Sequence, residues 1–179
     1  MNYKIENFPL FLKYAYPCME FWFKNKMLAM KIRKKDAEKF FKVINEKLLS
    51  EIKLIAMGKK KMNKKIEKNI EKLVPLAFNF ILKLGKKRGG KVLVNEEAIR
   101  KYFCVLHGKI IEKEKKLFKK YENFFELCDV KEGKIIEIKG NMAKVKISNK
   151  EREVNLDFIE NPRIGEKVKV HFFHACEKI

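Results

Sequence analysis

The sequence predicts a segregated α+β protein: a basic helical bundle over residues 1–127, then a small OB-like β-barrel over 128–179. Two observations predict it. Apolar residues recur at three- and four-residue steps up to about residue 127, and from Gly133 onward the period falls to two. Charge divides at the same place. Of the net charge of +20, residues 1–127 carry +18 and residues 128–179 only +2.

The helical part begins with an aromatic-rich segment over 8–24. Phe11, Tyr14, Cys18 and Trp22 share one helical face, and Pro17 predicts a kink or a break. Such a stripe predicts core packing rather than a platform for nucleobases. A second helix is expected over 34–57, with Phe40, Val43, Ile44, Leu48, Ile52 and Ile55 inward and Gly58 as its C-terminal cap. A third spans about 62–84, lined by Ile66, Ile70, Leu73 and Ala77, bent at Pro75 and ended by Gly85. The run 85–91, GKKRGGK, reads as a solvated loop, since it lacks the strand–loop–helix setting and closing Lys-Ser/Thr of a phosphate-binding loop. Asn95 then caps a long fourth helix over about 96–124. Cys104 and His107 stand three apart on it, close enough to share a metal, although such a pair is more often packing.

Composition narrows the classes. An apolar share of 46% supports real cores. Cys18, Cys104, Cys128 and Cys176 are widely spaced without a CxxC pair, which argues against a zinc knuckle or a disulfide framework and for reduced thiols in the cytoplasm. No apolar run reaches the roughly 18 residues of a membrane span. There is no Ser/His/Asp order, nucleotide-binding glycine motif in context or paired-carboxylate signature, so the expectation is a non-enzymatic protein.

The tail reads as four strands, 134–138, 142–147, 151–156 and 167–172. Gly140-Asn141, Ser148-Asn149-Lys150 and the Asn161–Glu166 loop separate them. Short strands at this spacing predict a small closed barrel. About fifty residues make a thin core, so the barrel is expected to pack against the helices.

Particular residues in this tail carry a family resemblance. Cys128 stands five residues before Gly133. Gly140, Ala143 and Val145 fit a G-x-x-A-x-V segment, and Arg152, Val154 and Leu156 fit R-x-V-x-L. Gly165, Glu166, Val168, Val170 and His171 fit G-[DE]-x-V-x-V-H, and Ala175–Ile179 stands where an Ala-Ile-Glu-Lys-like ending is expected. In these features residues 128–179 resemble the HypC/HupF family, small β-barrel chaperones that assemble the iron centre of nickel–iron hydrogenases. The resemblance covers none of 1–127. It implies a chaperone that holds an Fe(CN)2CO unit and docks a maturation factor or hydrogenase precursor, with Cys128 as the thiolate and His171 as second ligand or orienting group. Sulfur and imidazole suit such low-spin iron. His174 and Cys176 either enlarge that site or are barrel-end residues.

The basic part admits another reading. Lys59, Lys60, Lys61, Lys64 and Lys65, with Lys86, Lys87, Arg88 and Lys91, form two clusters that could meet nucleic acid or an acidic partner, and an OB-like barrel suits single strands. Lysine outnumbers arginine 38 to 5, which equally fits solvated helix faces. A third possibility is an interaction module put to another use.

Overall fold

The two hydrophobic periods become two bodies that share a face. A computed structural model describes residues 3–113 and 122–179. The chain opens with a short strand, β1 (Tyr3–Ile5), and helix α1 (Phe8–Lys24). Asn7 caps α1 by accepting from the Leu10 N–H, and Pro17 lies inside it without ending it. Helix α2 (Lys26–Ile32), absent from the sequence reading, follows directly.

The expected second and third helices are each divided. Residues 34–57 form α3 (Lys34–Phe41) and α4 (Glu46–Ala56). Asn45 makes the break, because its side chain caps α4 through the Leu48 N–H. Residues 62–84 form α5 (Lys64–Leu73), capped by Asn63, and α6 (Pro75–Leu84). Pro75 starts α6 rather than bending one long helix: its missing N–H and fixed φ suit the first helical turn.

The lysine–glycine run is not a loop. Strands β2 (Lys86–Arg88) and β3 (Lys91–Val94) form a hairpin turning at Gly89 and Gly90, both at positive φ. β1 pairs parallel with β3, which gives a small sheet in the order β1-β3-β2. The helical part is thus not purely helical. The expected fourth helix starts at the Asn95 cap as α7 (Glu96–Lys101), widens into a π-helical turn over Tyr102–Leu106 and resumes as α8 (His107–Glu112). Its expected continuation over 114–121 lies outside the described residues. Helix α9 (Glu122–Cys128) leads into the barrel.

Five strands close the barrel: β4 (Lys131–Lys139), β5 (Met142–Ile147), β6 (Lys150–Asn155), β7 (Lys167–His171) and β8 (His174–Lys178), in the order β4-β5-β6-β8-β7. β8 is the strand the sequence reading lacks. It pairs antiparallel with β7 across Phe172 and Phe173 and meets β6 in parallel at Asn155 and His174. Gly133 is where β5 approaches closest: a Cβ there would stand 2.5 Å from the Val145 side chain and 3.0 Å from the Lys146 carbonyl oxygen.

The barrel fills itself with Ile135, Val145, Val154, Leu156, Val168, Val170 and Ala175. The helical core is larger and crosses over: Val130, Phe158 and Cys176 belong to it together with Phe11, Tyr14, Ile52, Ile70 and Phe103. A third cluster seals the border, where Phe124, Cys128 and Phe172 pack with Phe21 and Trp22. Arg100 forks onto the Glu177 carboxylate at 2.6–3.1 Å, and the Tyr14 hydroxyl donates to the same group at 2.7 Å. Among the described residues no helix is long and apolar enough to cross a membrane.

Candidate metal centre

Four donor side chains meet at the border between helices and barrel. Cys18 comes from α1, His107 from the first position of α8, Cys128 from the last position of α9 and His171 from the end of β7. Their ligand atoms all lie within 4.8 Å of one another. His107 Nε2 is 3.3 Å from Cys128 Sγ, and His171 Nε2 is 3.5 Å from Cys18 Sγ. His107, Cys128 and His171 are buried, and Cys18 is partly so.

Local structure explains each position. Cys18 follows Pro17 and faces inward with Tyr14 and Trp22, as the aromatic stripe predicts. His107 is aimed by the π-helical turn. A regular helix would align Cys104 with His107, but the wider turn separates them. Cys104 instead donates its thiol to the Tyr14 hydroxyl and accepts from Lys169 Nζ. The neighbouring Gly108 lets α8 lie against Asp129, since a Cβ there would overlap that carboxylate. Cys128, beside Asp129, is thereby brought to His107. His171 is fixed by the turn after it. Phe172 adopts a φ of 50°, and its N–H donates to the Leu127 carbonyl at 2.7 Å, tying the turn to α9.

Both imidazoles are held from behind. His171 Nδ1 lies 2.8 Å from the Tyr14 carbonyl oxygen. A carbonyl only accepts, so Nδ1 carries the proton and Nε2 is turned to the cluster. His107 Nδ1 meets the Tyr102 hydroxyl at 3.1 Å, again leaving Nε2 inward. Backing of this kind fixes the ring orientation and tautomer of metal-binding histidines.

The four groups polarise one another. The hydrogen bond from the Cys128 thiol, with the two imidazoles, holds the Cys18 thiol well below the ordinary cysteine range despite its burial. Burial and the adjoining Cys18 sulfur push Cys128 well above it. Burial pulls His107 down. Burial also opposes charge on His171, but Cys18 and the Tyr14 carbonyl raise it. The cluster is thus suited to a thiolate on Cys18 beside an imidazolium on His171. A cavity of about 120 Å³ adjoins it, lined by Cys18, Trp22, His107 and Cys128 and also by the partly exposed Arg33, Asp36 and Lys72.

The structure brings Cys128 and His171 together. His174 and Cys176 lie elsewhere. His174 Nε2 is 2.8 Å from Glu20 Oε2, with its ring stacked on Phe158, and Cys176 is buried with its thiol donating to the His174 carbonyl. The basic residues are exposed and scattered. Lys59, Lys60 and Lys61 follow α4, with Lys60 paired to Glu51. Lys64 and Lys65 open α5, and Lys86, Lys87, Arg88 and Lys91 occupy the β2–β3 hairpin.

The ordered segments from Gly133 to Ile179 now have a closed five-stranded barrel beneath them. Residues 132–179 match the HupF/HypC family. No family model matches the region before them, and no curated protein matches the chain. The HupF/HypC match supports a chaperone family of the hydrogenase-maturation type, one that works with protein partners. His171 lies inside the matched segment and Cys128 four residues before it. Cys18 and His107 lie in the helical region, outside the match, and the sequence reading assigned neither to this centre. Their only signals were a cysteine on an inward helical face and a histidine near a second cysteine, and neither pattern reveals a partner a hundred residues away.

Proposed function

We propose that the protein is a non-enzymatic accessory factor of the hydrogenase-maturation type, which holds an iron unit at the helix–barrel border and passes it on within a protein complex. The convergence of Cys128 with His171 carries this reading, because these two residues occupy the HupF/HypC positions that the resemblance assigns to iron. Thiolate and imidazole are suitable donors for iron bearing strong-field ligands. The cargo is an Fe(CN)2CO unit, and the adjoining cavity offers room for small diatomic groups. The helical region serves as the partner-docking extension, presenting its basic surface to a maturation factor or hydrogenase precursor.

Co-expression with hydrogenase-maturation proteins tests this. Purified protein is expected to contain iron and to show cyanide and carbonyl infrared bands, and Cys128→Ala is expected to lose both. Absence of the bands, together with a Cys128→Ala variant that captures the same partners as the parent, overturns the reading.

A further inference from the structure

The barrel supplies only part of the centre. Two of the four donors come from helices that the HupF/HypC match does not reach. A tetrahedral ion with metal–sulfur bonds of about 2.3 Å and metal–nitrogen bonds of about 2.0 Å places neighbouring sulfur and nitrogen donors roughly 3.5 Å apart. The two sulfur–nitrogen separations here are 3.3 and 3.5 Å. Each imidazole turns Nε2 inward and has its Nδ1 engaged, by the Tyr14 carbonyl for His171 and by the Tyr102 hydroxyl for His107.

We propose that Cys18, His107, Cys128 and His171 form a complete four-donor site for one resident thiophilic divalent cation of the zinc class, fastening the helical region to the barrel. Each thiol gives up its proton on binding, so the two negative sulfurs neutralise the ion inside an apolar surround. The site differs from a cargo site in donor count. Six-coordinate iron carrying three diatomic ligands has room for three protein donors, whereas a tetrahedral ion takes all four. Four protein donors with no position left open are the mark of a structural site. The inference stands on these four side chains and does not depend on the maturation reading.

The test uses the full chain expressed without maturation proteins, stripped of metal under reductant and titrated with cobalt(II), then zinc. The expected result is one ion per chain, intense visible bands of tetrahedral cobalt with a thiolate charge-transfer band, and displacement by zinc. Cys18→Ser and His107→Asn are each expected to lose that spectrum, and Cys176→Ser and Cys104→Ser to keep it. Tyr102→Phe, which alters only the support of His107, is expected to weaken zinc binding about tenfold with the spectrum retained. Circular dichroism of the metal-free variants separates a lost donor from a lost fold: a variant that matches the metal-free parent yet binds nothing supports the site. Octahedral-type cobalt spectra overturn the proposal, as does undiminished binding by Cys18→Ser and His107→Asn. So does a Cys18–Cys128 disulfide that persists under reductant with no metal bound. Infrared bands from co-expressed protein report on the cargo reading alone, so the two ideas fail separately.

Discussion

The barrel and the helical region bury their apolar surface in different ways. The barrel's central core is made from its own strands, with Ile135, Val145, Val154, Val168 and Val170 pointing into one interior. The helical region consists of short segments, several only seven to eleven residues long, and its core is completed by Val130, Phe158 and Cys176 from the other side. Period-two strands closed in a ring satisfy their own backbone groups and their own apolar face. Short helices satisfy neither alone and depend on tertiary contact. The border is therefore where one region leans on the other, and all four donors of the candidate centre lie there.

The largest expected effect breaks that dependence. Phe172 is 1% exposed and stacks on Phe21, with ring centroids 4.8 Å apart. Phe172→Ala is expected to cost about 3–5 kcal/mol by removing a buried aromatic. The unfolding midpoint read from helical circular dichroism should then separate from that read from Trp22, the single tryptophan, which packs at the border. A single shared transition in the variant would show that the two regions do not depend on this contact.

Gly133→Ala acts on the barrel alone. Its Cβ would run into Val145, Ile147 and the Lys146 carbonyl, and an overpacked core position loses about 1–3 kcal/mol. Because the helical core leans on the barrel, helical signal is expected to fall with barrel signal in one chemical denaturation curve. Helices that outlast the barrel in this variant would refute the dependence.

Glu177 sharpens the comparison through charge. Its carboxylate is partly buried, which works against ionisation, but Arg100 and the Tyr14 hydroxyl hold its pKa below the ordinary glutamate value. A folded-state pKa below the unfolded one adds stability that is complete above the unfolded value and is lost as pH falls through the folded one. Melting curves are thus expected to show Glu177→Gln less stable by about 1–2 kcal/mol at neutral pH, with the difference shrinking on acidification below about pH 4. A constant difference across that range would remove Glu177 as the source. The smallest effect belongs to the Lys150–Glu126 pair joining β6 to α9. It is 72% and 43% exposed, and Lys150→Ala is expected to change stability by no more than about 0.5 kcal/mol.

The same contrast explains what could be read from the chain. Strands β4 to β7 are visible because alternation and turn residues are local signals. β8 is not, because His174 to Lys178 has no clean alternation and is a strand only through β7 and β6. The helical faces are visible, but two breaks are not: Asn45 and Pro75 end one segment and begin another, whereas the periodicity runs through both. The β2–β3 hairpin looks like a loop because Lys86 to Arg88 has no apolar face and is held by pairing alone. Cys128 and His171 were reachable through a resemblance that covers the barrel. Cys18 and His107 were not, since their approach is set by topology: 153 residues separate Cys18 from the histidine it faces.

The π-helical turn at Tyr102–Leu106 makes the helix around it a two-phase device. Upstream, Ile99, Tyr102 and Phe103 keep step with the helical core; downstream, His107 and Ile111 keep step with the border. An α-helix advances about 100° per residue, so removing one residue from the turn would restore a regular winding and swing everything after it by about that angle. His107 would leave the cluster while the upstream residues stayed in place. A one-residue deletion here would thus act as a frame shift in space, uncoupling the centre from a helix whose composition is otherwise unchanged.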